Sequence, residues 1–488
     1  MKLPRQTSCA LKTPAASAPR DPVHISGGSL AKNADCRGRQ KTNAKEQMVN
    51  HLAEIVSRNK AGESVGIYAV CSAHPTVLEA SIRQAREDGT HLLIEATSNQ
   101  VDQFGGYTGM RPEQFRDMVF SIADAEGFAR TRLILGGDHL GPNRWQALPA
   151  EEAMANAEDL IAAYVEAGYT KIHLDCSMSC GGDPVPLGDE IVAERSARLL
   201  AVAESVAARM SPPLKPVYVI GTEVPVPGGA HEELHDLAAT TSEAARETLA
   251  HHRKAFAARD LDYVWPRIVA MVVQPGVEFD HVQVIDYKRD KTVELRKVLN
   301  ELPYTAFEAH STDYQDTACL TDLVEDHWVI LKVGPGLTFA LREALFALAR
   351  IEDELVPVDD RSKLIEVIEE RMLANPKYWD SYYHGNTEEQ RIARRFSYSD
   401  RMRYYWPDQD IDQAVHRLFE NLDKSGIPEA LLSQFLPAQY ARVRAGQLVA
   451  APHELAIDKV RDALRPYSFA CNPHVRDRNS DLLGAALV

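Results

Sequence analysis

The sequence predicts an α/β protein: a (β/α)8 TIM barrel followed by a helical C-terminal extension. Three observations carry this. Eight short apolar runs alternate with helical stretches between about residues 46 and 350. The runs are apolar along their length, as expected of strands buried on both faces in a parallel sheet. Polar residues suited to chemistry follow directly after the runs, where barrels keep their active sites. An open doubly wound sheet is the competing arrangement, but no Gly-x-Gly-x-x-Gly follows the first run.

Residues 1–45 are rich in Ser, Ala, Pro, Asn, Lys and Arg, lack apolar periodicity and are predicted to be disordered. Their scarcity of acidic residues fits a targeting peptide or a non-native extension, and they hold no continuous apolar core for secretion. The barrel is assigned to residues 46–350, entered through an amphipathic helix ending near Asn59. Strand one is Val65–Cys71, with a helix over Pro75–Glu87. Strand two is His91–Ala96, with a loop over Thr97–Gly109 and a helix from Pro112. Strand three begins at Leu133 and is followed by a helix over Ala150–Gly168. Strand four is Lys171–Asp175, with a helix over Glu190–Met210. Strand five is Pro216–Gly221, with a helical region reaching Ala258. Strands six, seven and eight are Pro266–Val273, Tyr304–Glu308 and His327–Val333, the last leading into a helix over Leu337–Arg350.

The extension, 351–488, is predicted to be helical, with segments at Leu364–Ala374, Arg391–Arg395, Ile411–Ser425, Pro428–Phe435 and Leu455–Leu464. It contains the aromatic and Arg-rich stretches Tyr378–Gly385 and Arg394–Trp406. These read either as a packed junction or oligomer interface, where Tyr, Trp and Arg are enriched, or as a cap whose Arg401 and Arg403 bind a sugar or its phosphate at the barrel mouth.

Composition narrows the function. The chain has 488 residues and a net charge of −16, which argues against a nucleic-acid surface. No apolar stretch approaches the roughly 20 residues of a membrane span. Seven cysteines without regular spacing do not form a disulfide framework. The expectation is a cytoplasmic protein with reduced thiols, and metal binding at Cys176 and Cys180 is the lesser reading of that pair.

The central stretch is Leu133–Asn143. An apolar run stops in Gly136-Gly137 and presents Asp138 beside His139. The glycines are expected to let the backbone turn sharply and approach a ligand. Strand-end positions elsewhere supply Glu95, Asn99 and Gln100, then Asn143, Asp175, Glu223, Glu278, Asp280, His281, Glu308, His310, Ser311, Asp313 and Lys332. Several carboxylates and histidines at one mouth call for a divalent cation, and that donor chemistry suits zinc, with manganese or nickel as alternatives. His173, within strand four, reads as packed. Asp138, Glu223 and Asp175 are the candidate catalytic residues. Asn143, Ser311, Asp313, Arg401 and Arg403 are the candidate substrate-binding residues. No H-E-x-x-H, Walker or G-x-S-x-G motif is present.

Five stretches carry a family resemblance: Gly136–Asn143, His173–Met178, Gly221–Pro225, Gln274–Phe279 and Phe396–Trp406. Through them the chain resembles the GatZ/KbaZ family, partner subunits of class II D-tagatose-1,6-bisphosphate aldolase, over about residues 46–470. The resemblance implies a class II aldolase-like barrel, with Asp138 as proton-transfer acid and His139 and His310 as metal ligands. Glu278 stands where class II aldolases have a third His ligand, and His281 is the alternative. After strand seven the sequence lacks the glycine loop those enzymes use for phosphate, whereas Gly334-Pro335-Gly336 after strand eight keeps glycine-like freedom. The implied function is in ketohexose metabolism, beside a GatY/KbaY-type catalytic subunit and with a ketohexose or its phosphate as substrate. The implied alternative is a self-sufficient metal-dependent ketohexose 4-epimerase. A homo-oligomer is a further expectation.

Overall fold

The computed structural model describes residues 50–221 and 237–478. The segment 1–45 and Glu223 lie outside these residues. Eight parallel strands close into a barrel: β1 (Ile67–Val70), β2 (Leu92–Thr97), β3 (Leu133–Leu140), β4 (Lys171–Leu174), β5 (Val217–Ile220), β6 (Ile268–Val272), β7 (Ala306–Ala309) and β8 (Trp328–Val333). Each pairs with its sequence neighbour, and β1 pairs with β8 through Ile67 and Ile330. This is a (β/α)8 barrel with added C-terminal helices.

The helix His51–Lys60 starts where the Asn50 side chain accepts from the Leu52 and Ala53 amides. Its Leu52, Ile55 and Val56 join inward-facing Ile67, Leu93, Val217, Val219, Val269 and Ile330 in an apolar lower layer. Between β6 and β7 the chain departs from the βα rhythm. It makes a short antiparallel pair, Glu278–Phe279 with Val284–Ile285, and then only short helical turns.

Next along the barrel interior comes a charged layer. Glu95, Lys171, Glu308 and Lys332 come from β2, β4, β7 and β8, and all are buried. Lys171 Nζ lies 2.6 Å from Glu95 and 3.0 Å from Glu308. Lys332 Nζ contacts Glu95 and lies 2.6 Å from Asp138. Buried charges persist only when paired in this way. Gly136 makes the layer possible. It lies between Glu95 and Lys171 in register, and a Cβ there would stand 2.5 Å from the Glu95 carboxylate. The two glycines therefore provide room rather than a turn. The strand runs on through Leu140, and the bend falls at His139, whose φ is +48°.

The extension packs along the outside of the barrel. Its longest helix, Pro452–Cys471, lies against the helices Pro75–Asp88 and Pro335–Leu355. The Gly66 amide, just before β1, donates to the Cys471 carbonyl at 3.0 Å. His281 ties the antiparallel pair to the extension, with Nδ1 3.0 Å from Ser399 Oγ and Nε2 2.9 Å from the Tyr382 carbonyl.

Candidate active site and metal centre

At the carboxyl ends of the strands, Asp138, His139, His173 and His310 each place a donor atom within 4.8 Å of the others, and all four are buried. The three imidazole centroids are 4.9–5.4 Å apart. Two of the rings are fixed by carboxylates. Asp175 lies 2.7 Å from His139 Nδ1, and Glu308 lies 2.9 Å from His310 Nε2. Such contacts set the orientation of metal-ligating histidines, leaving His139 Nε2 and His310 Nδ1 for another partner. His173 Nδ1 faces Asp138 at 3.1 Å, and its buried Nε2 has no hydrogen-bond partner. His139 and Ser311, which follows His310, both adopt the left-handed backbone region, a strained choice for non-glycine residues that clusters at functional sites.

The electrostatics agree. Lys171 and Lys332 face Glu95, Glu308 and Asp138, so the carboxylates here outnumber the lysines. Burial works to raise the Asp138 pKa, but His139, Lys332 and His173 outweigh it and hold the carboxyl well below its usual range. Burial likewise opposes charge on Glu308, yet Lys171 and Lys332 keep it ionised. Asp175 is held low against burial by its bond to His139. Burial would lower His139, but Asp138 and Asp175 raise it, whereas burial pushes His310 down to about 3. Three imidazoles beside carboxylates that outnumber the lysines fit a divalent cation. His139, His173 and His310 are the residues that would hold it.

The mouth above this group is an open cleft of about 90 Å³. Asp138, His139, His310, Ser311, Asp313, Lys332 and Arg403 line it, with Gln100, Tyr107 and Tyr404. Arg403 therefore reaches the mouth. Arg401 does not: its guanidinium stacks on Tyr382 and bonds to the Tyr378 carbonyl inside the extension. Tyr404 stacks on Tyr378 at 5.0 Å, and Arg403 and Arg401 draw its pKa below the usual value although burial works to raise it.

The other candidates are placed as follows. Glu278 is not among the metal-donor residues. Its carboxylate accepts from its neighbour Phe279 N at 2.9 Å, and burial pushes it up to about 7 against that bond and one from Ser311. His281 is engaged with the extension. Asp175 contacts His139 rather than the pocket, as a positioning carboxylate. Asn143 accepts from Ser98 Oγ at 3.1 Å and does not line the pocket. Asp313 lines it, but its carboxylate accepts from the Gly334 and Gly336 amides at 2.9 and 2.7 Å. The glycine loop after β8, expected to be open to phosphate, thus already holds an anionic group from its own chain.

His173, which the sequence predicts to be packed, and Lys332, which it offers only as a strand-end residue, both belong to the site. A signal for His173 exists: Lys171, His173 and Asp175 recur every second residue and so share one face of β4, while Ile172 and Leu174 turn outward.

Over residues 52–472 the sequence matches the family "D-tagatose-1,6-bisphosphate aldolase subunit GatZ/KbaZ-like". The chain belongs to this family. Among solved structures, the GatZ/KbaZ-like chain is similar to a Sinorhizobium meliloti 1021 protein named "probable tagatose 6 phosphate kinase". They share 49% identity with a TM-score of 0.77, over 83% of this chain and 100% of that one. Fructose-bisphosphate aldolase from Campylobacter jejuni matches at 14% identity and TM-score 0.38, over 77% of this chain and 95% of its own. The YdjI aldolase from Escherichia coli K12 matches at 12% and 0.36, over 77% and 96%. No helix among the described residues is long and apolar enough to cross a membrane.

Proposed function

We propose that this chain acts in ketohexose metabolism as the GatZ/KbaZ-type component of D-tagatose-1,6-bisphosphate aldolase, beside a GatY/KbaY-type catalytic subunit, with zinc at its own mouth. What carries this reading is the family match, which spans barrel and extension together. The buried three-imidazole group supports zinc over magnesium or calcium, which prefer all-oxygen sites.

A specific observation favours a second reading, a self-sufficient ketohexose 4-epimerase. The mouth places Asp138 and Lys332 2.6 Å apart beside the imidazoles. The cation, when bound, would supply Lewis-acid polarisation of the ketone. Asp138 would take the C4 hydroxyl proton as the C3–C4 bond breaks, giving an aldehyde and a three-carbon enediolate. The aldehyde would turn over, the bond would re-form on its other face, and Asp138 would return the proton. Lys332 keeps Asp138 ionised between turnovers, and Arg403 and Gln100 orient hydroxyl or phosphate oxygens.

One experiment tests both. The pure chain is incubated with Zn²⁺, Mn²⁺ or Ni²⁺ and with fructose, tagatose and their phosphates, alone and with a GatY/KbaY-type subunit. Conversion by the chain alone establishes the epimerase. Stimulation of the partner with none alone establishes the subunit. Absence of both conversion and stimulation retires both readings.

A further inference from the structure

A second cavity, of about 680 Å³, lies between the first βα unit, the helix Pro335–Leu355 and the helix Gln409–Ser425. Its wall is predominantly apolar, with Met110, Leu341, Leu345, Val415 and Phe419 among the lining residues. It meets the mouth through a shared partition that includes Tyr107 and Arg403. Such a wall does not suit a polyol, whose hydroxyls would lose their hydrogen bonds against it.

The cation of the partition makes no direct ion pair. The Arg403 guanidinium bonds only to neutral oxygens: the Ser399 carbonyl, the Asp400 carbonyl at 3.1 Å and Tyr404 Oη at 3.0 Å. The nearby Asp400 carboxylate is engaged by Arg342 at 3.1 Å and by Thr338 at 2.6 Å. The other basic side chains of the wall are balanced or neutral. His416 pairs with Asp412 at 3.5 Å and His453 with Glu79 at 3.3 Å. His74 accepts from the Thr76 amide, and burial pushes it down to about 4. Among the described residues, Arg403 is the one cation of this wall without an acidic partner.

We propose that this cavity binds an amphiphilic anion, a carboxylate on an unbranched hydrocarbon chain, with the carboxylate on Arg403 and the chain along the apolar wall. A charged donor group with unspent N–H capacity at one end of an apolar cavity matches that chemistry. A methylene fills about the space of a water, roughly 30 Å³, so a twelve-carbon chain occupies about half of the 680 Å³. The site shares Arg403 with the sugar reading, and only its effect on sugar binding rests on that reading. Occupancy places a carboxylate in the partition that also lines the mouth, so the bound amphiphile weakens sugar binding there.

The test is calorimetric titration of the full chain with octanoate, decanoate and dodecanoate, each below its micellar concentration. Burial of each methylene, about 0.8 kcal/mol, corresponds to roughly fourfold tighter binding, so affinity rises steadily along the series. Dodecan-1-ol, with the same chain and no charge, binds about tenfold or more weaker than dodecanoate. Val415→Trp, which fills the cavity from a half-buried helix position, abolishes dodecanoate binding. Absence of binding, an affinity indifferent to chain length, or an alcohol as tight as the acid overturns the proposal. So does full dodecanoate affinity in a folded Val415→Trp chain. Should that variant not fold, the ligand series on the unaltered chain decides alone.

Discussion

Asp175 sits 2.7 Å from His139 Nδ1, at the end of the strand next to the one that carries His139. The contact crosses from β4 to β3 and leaves His139 Nε2 as the nitrogen available to a cation. Asp175→Asn keeps the shape but loses the charge that makes the ring a strong ligand. Zinc affinity, measured by competition with a chelator, is expected to fall about 10–100-fold. An unchanged affinity would show that His139 is not a ligand.

Asp138→Asn separates the two functional readings. If the chain turns over ketohexoses, kcat is expected to fall about 10²–10⁴-fold, with bound metal nearly unchanged by elemental analysis. His139→Ala should lower metal and activity together. In the subunit reading, both variants sustain the catalytic partner apart from ordinary destabilisation, and the wild-type chain alone converts nothing.

Glu278 gives stability a pH dependence of known sign. Its folded pKa, pushed up to about 7 from 4.5 by burial, means that the native state binds its proton more tightly than the unfolded chain. The stabilisation is therefore complete below about pH 4.5 and is lost as pH rises through about 7, by on the order of 3 kcal/mol. Glu278→Gln removes this dependence. Denaturant titrations at pH 5 and pH 8 should show the variant gaining on wild type at the higher pH, and parallel changes in the two proteins would contradict the assignment.

Gly136→Ala drives a methyl into the Glu95 carboxylate across the sheet. Overpacking costs about 1–3 kcal/mol, and here it also disturbs the ion pairs to Lys171 and Lys332. The midpoint of chemical denaturation should drop accordingly. Gly89→Ala, at a helix end where a Cβ meets nothing within 4 Å but φ is +76°, is the control for backbone strain without crowding.

Asp313→Ala leaves the Gly334 and Gly336 amides without their partner, at a cost of about 1–3 kcal/mol for each buried donor. The freed amides stand at the start of the helix Pro335–Leu355, a ready anion site. Inorganic phosphate is expected to raise the melting temperature of this variant more than that of wild type. Equal shifts would mean that the amides do not face the mouth.

The barrel was legible because its outward residues are apolar wherever helices cover them, and the eight runs fall on the eight strands within a few residues. The charged interior was harder to read. Lys171 and His173 alternate with Ile172 and Leu174, yet inside a short strand they pass for a run interrupted by chance, and His173 reads as packed. The role of Gly136 was hidden for a similar reason, because the group it accommodates, Glu95, lies about 40 residues away in the chain and beside it only in the sheet. Glu278 follows a strand and is acidic, which is all that sequence offers. That the chain turns into an antiparallel pair there, with the Glu278 carboxylate on the Phe279 amide and Ser311, depends on tertiary packing. Arg401 and Arg403, two residues apart, differ because only one of them borders the mouth.

The hydrogen bond between the Gly66 amide and the Cys471 carbonyl has a bearing on biosynthesis. The entrance to the first barrel strand is completed by a residue made about 400 positions later. At roughly 5–20 residues per second, a nascent chain waits on the order of 20–80 seconds between the two. Throughout that interval the seam beside the helix Pro75–Asp88 stays uncovered on the ribosome, a window in which chaperones or neighbouring nascent chains have first access to it.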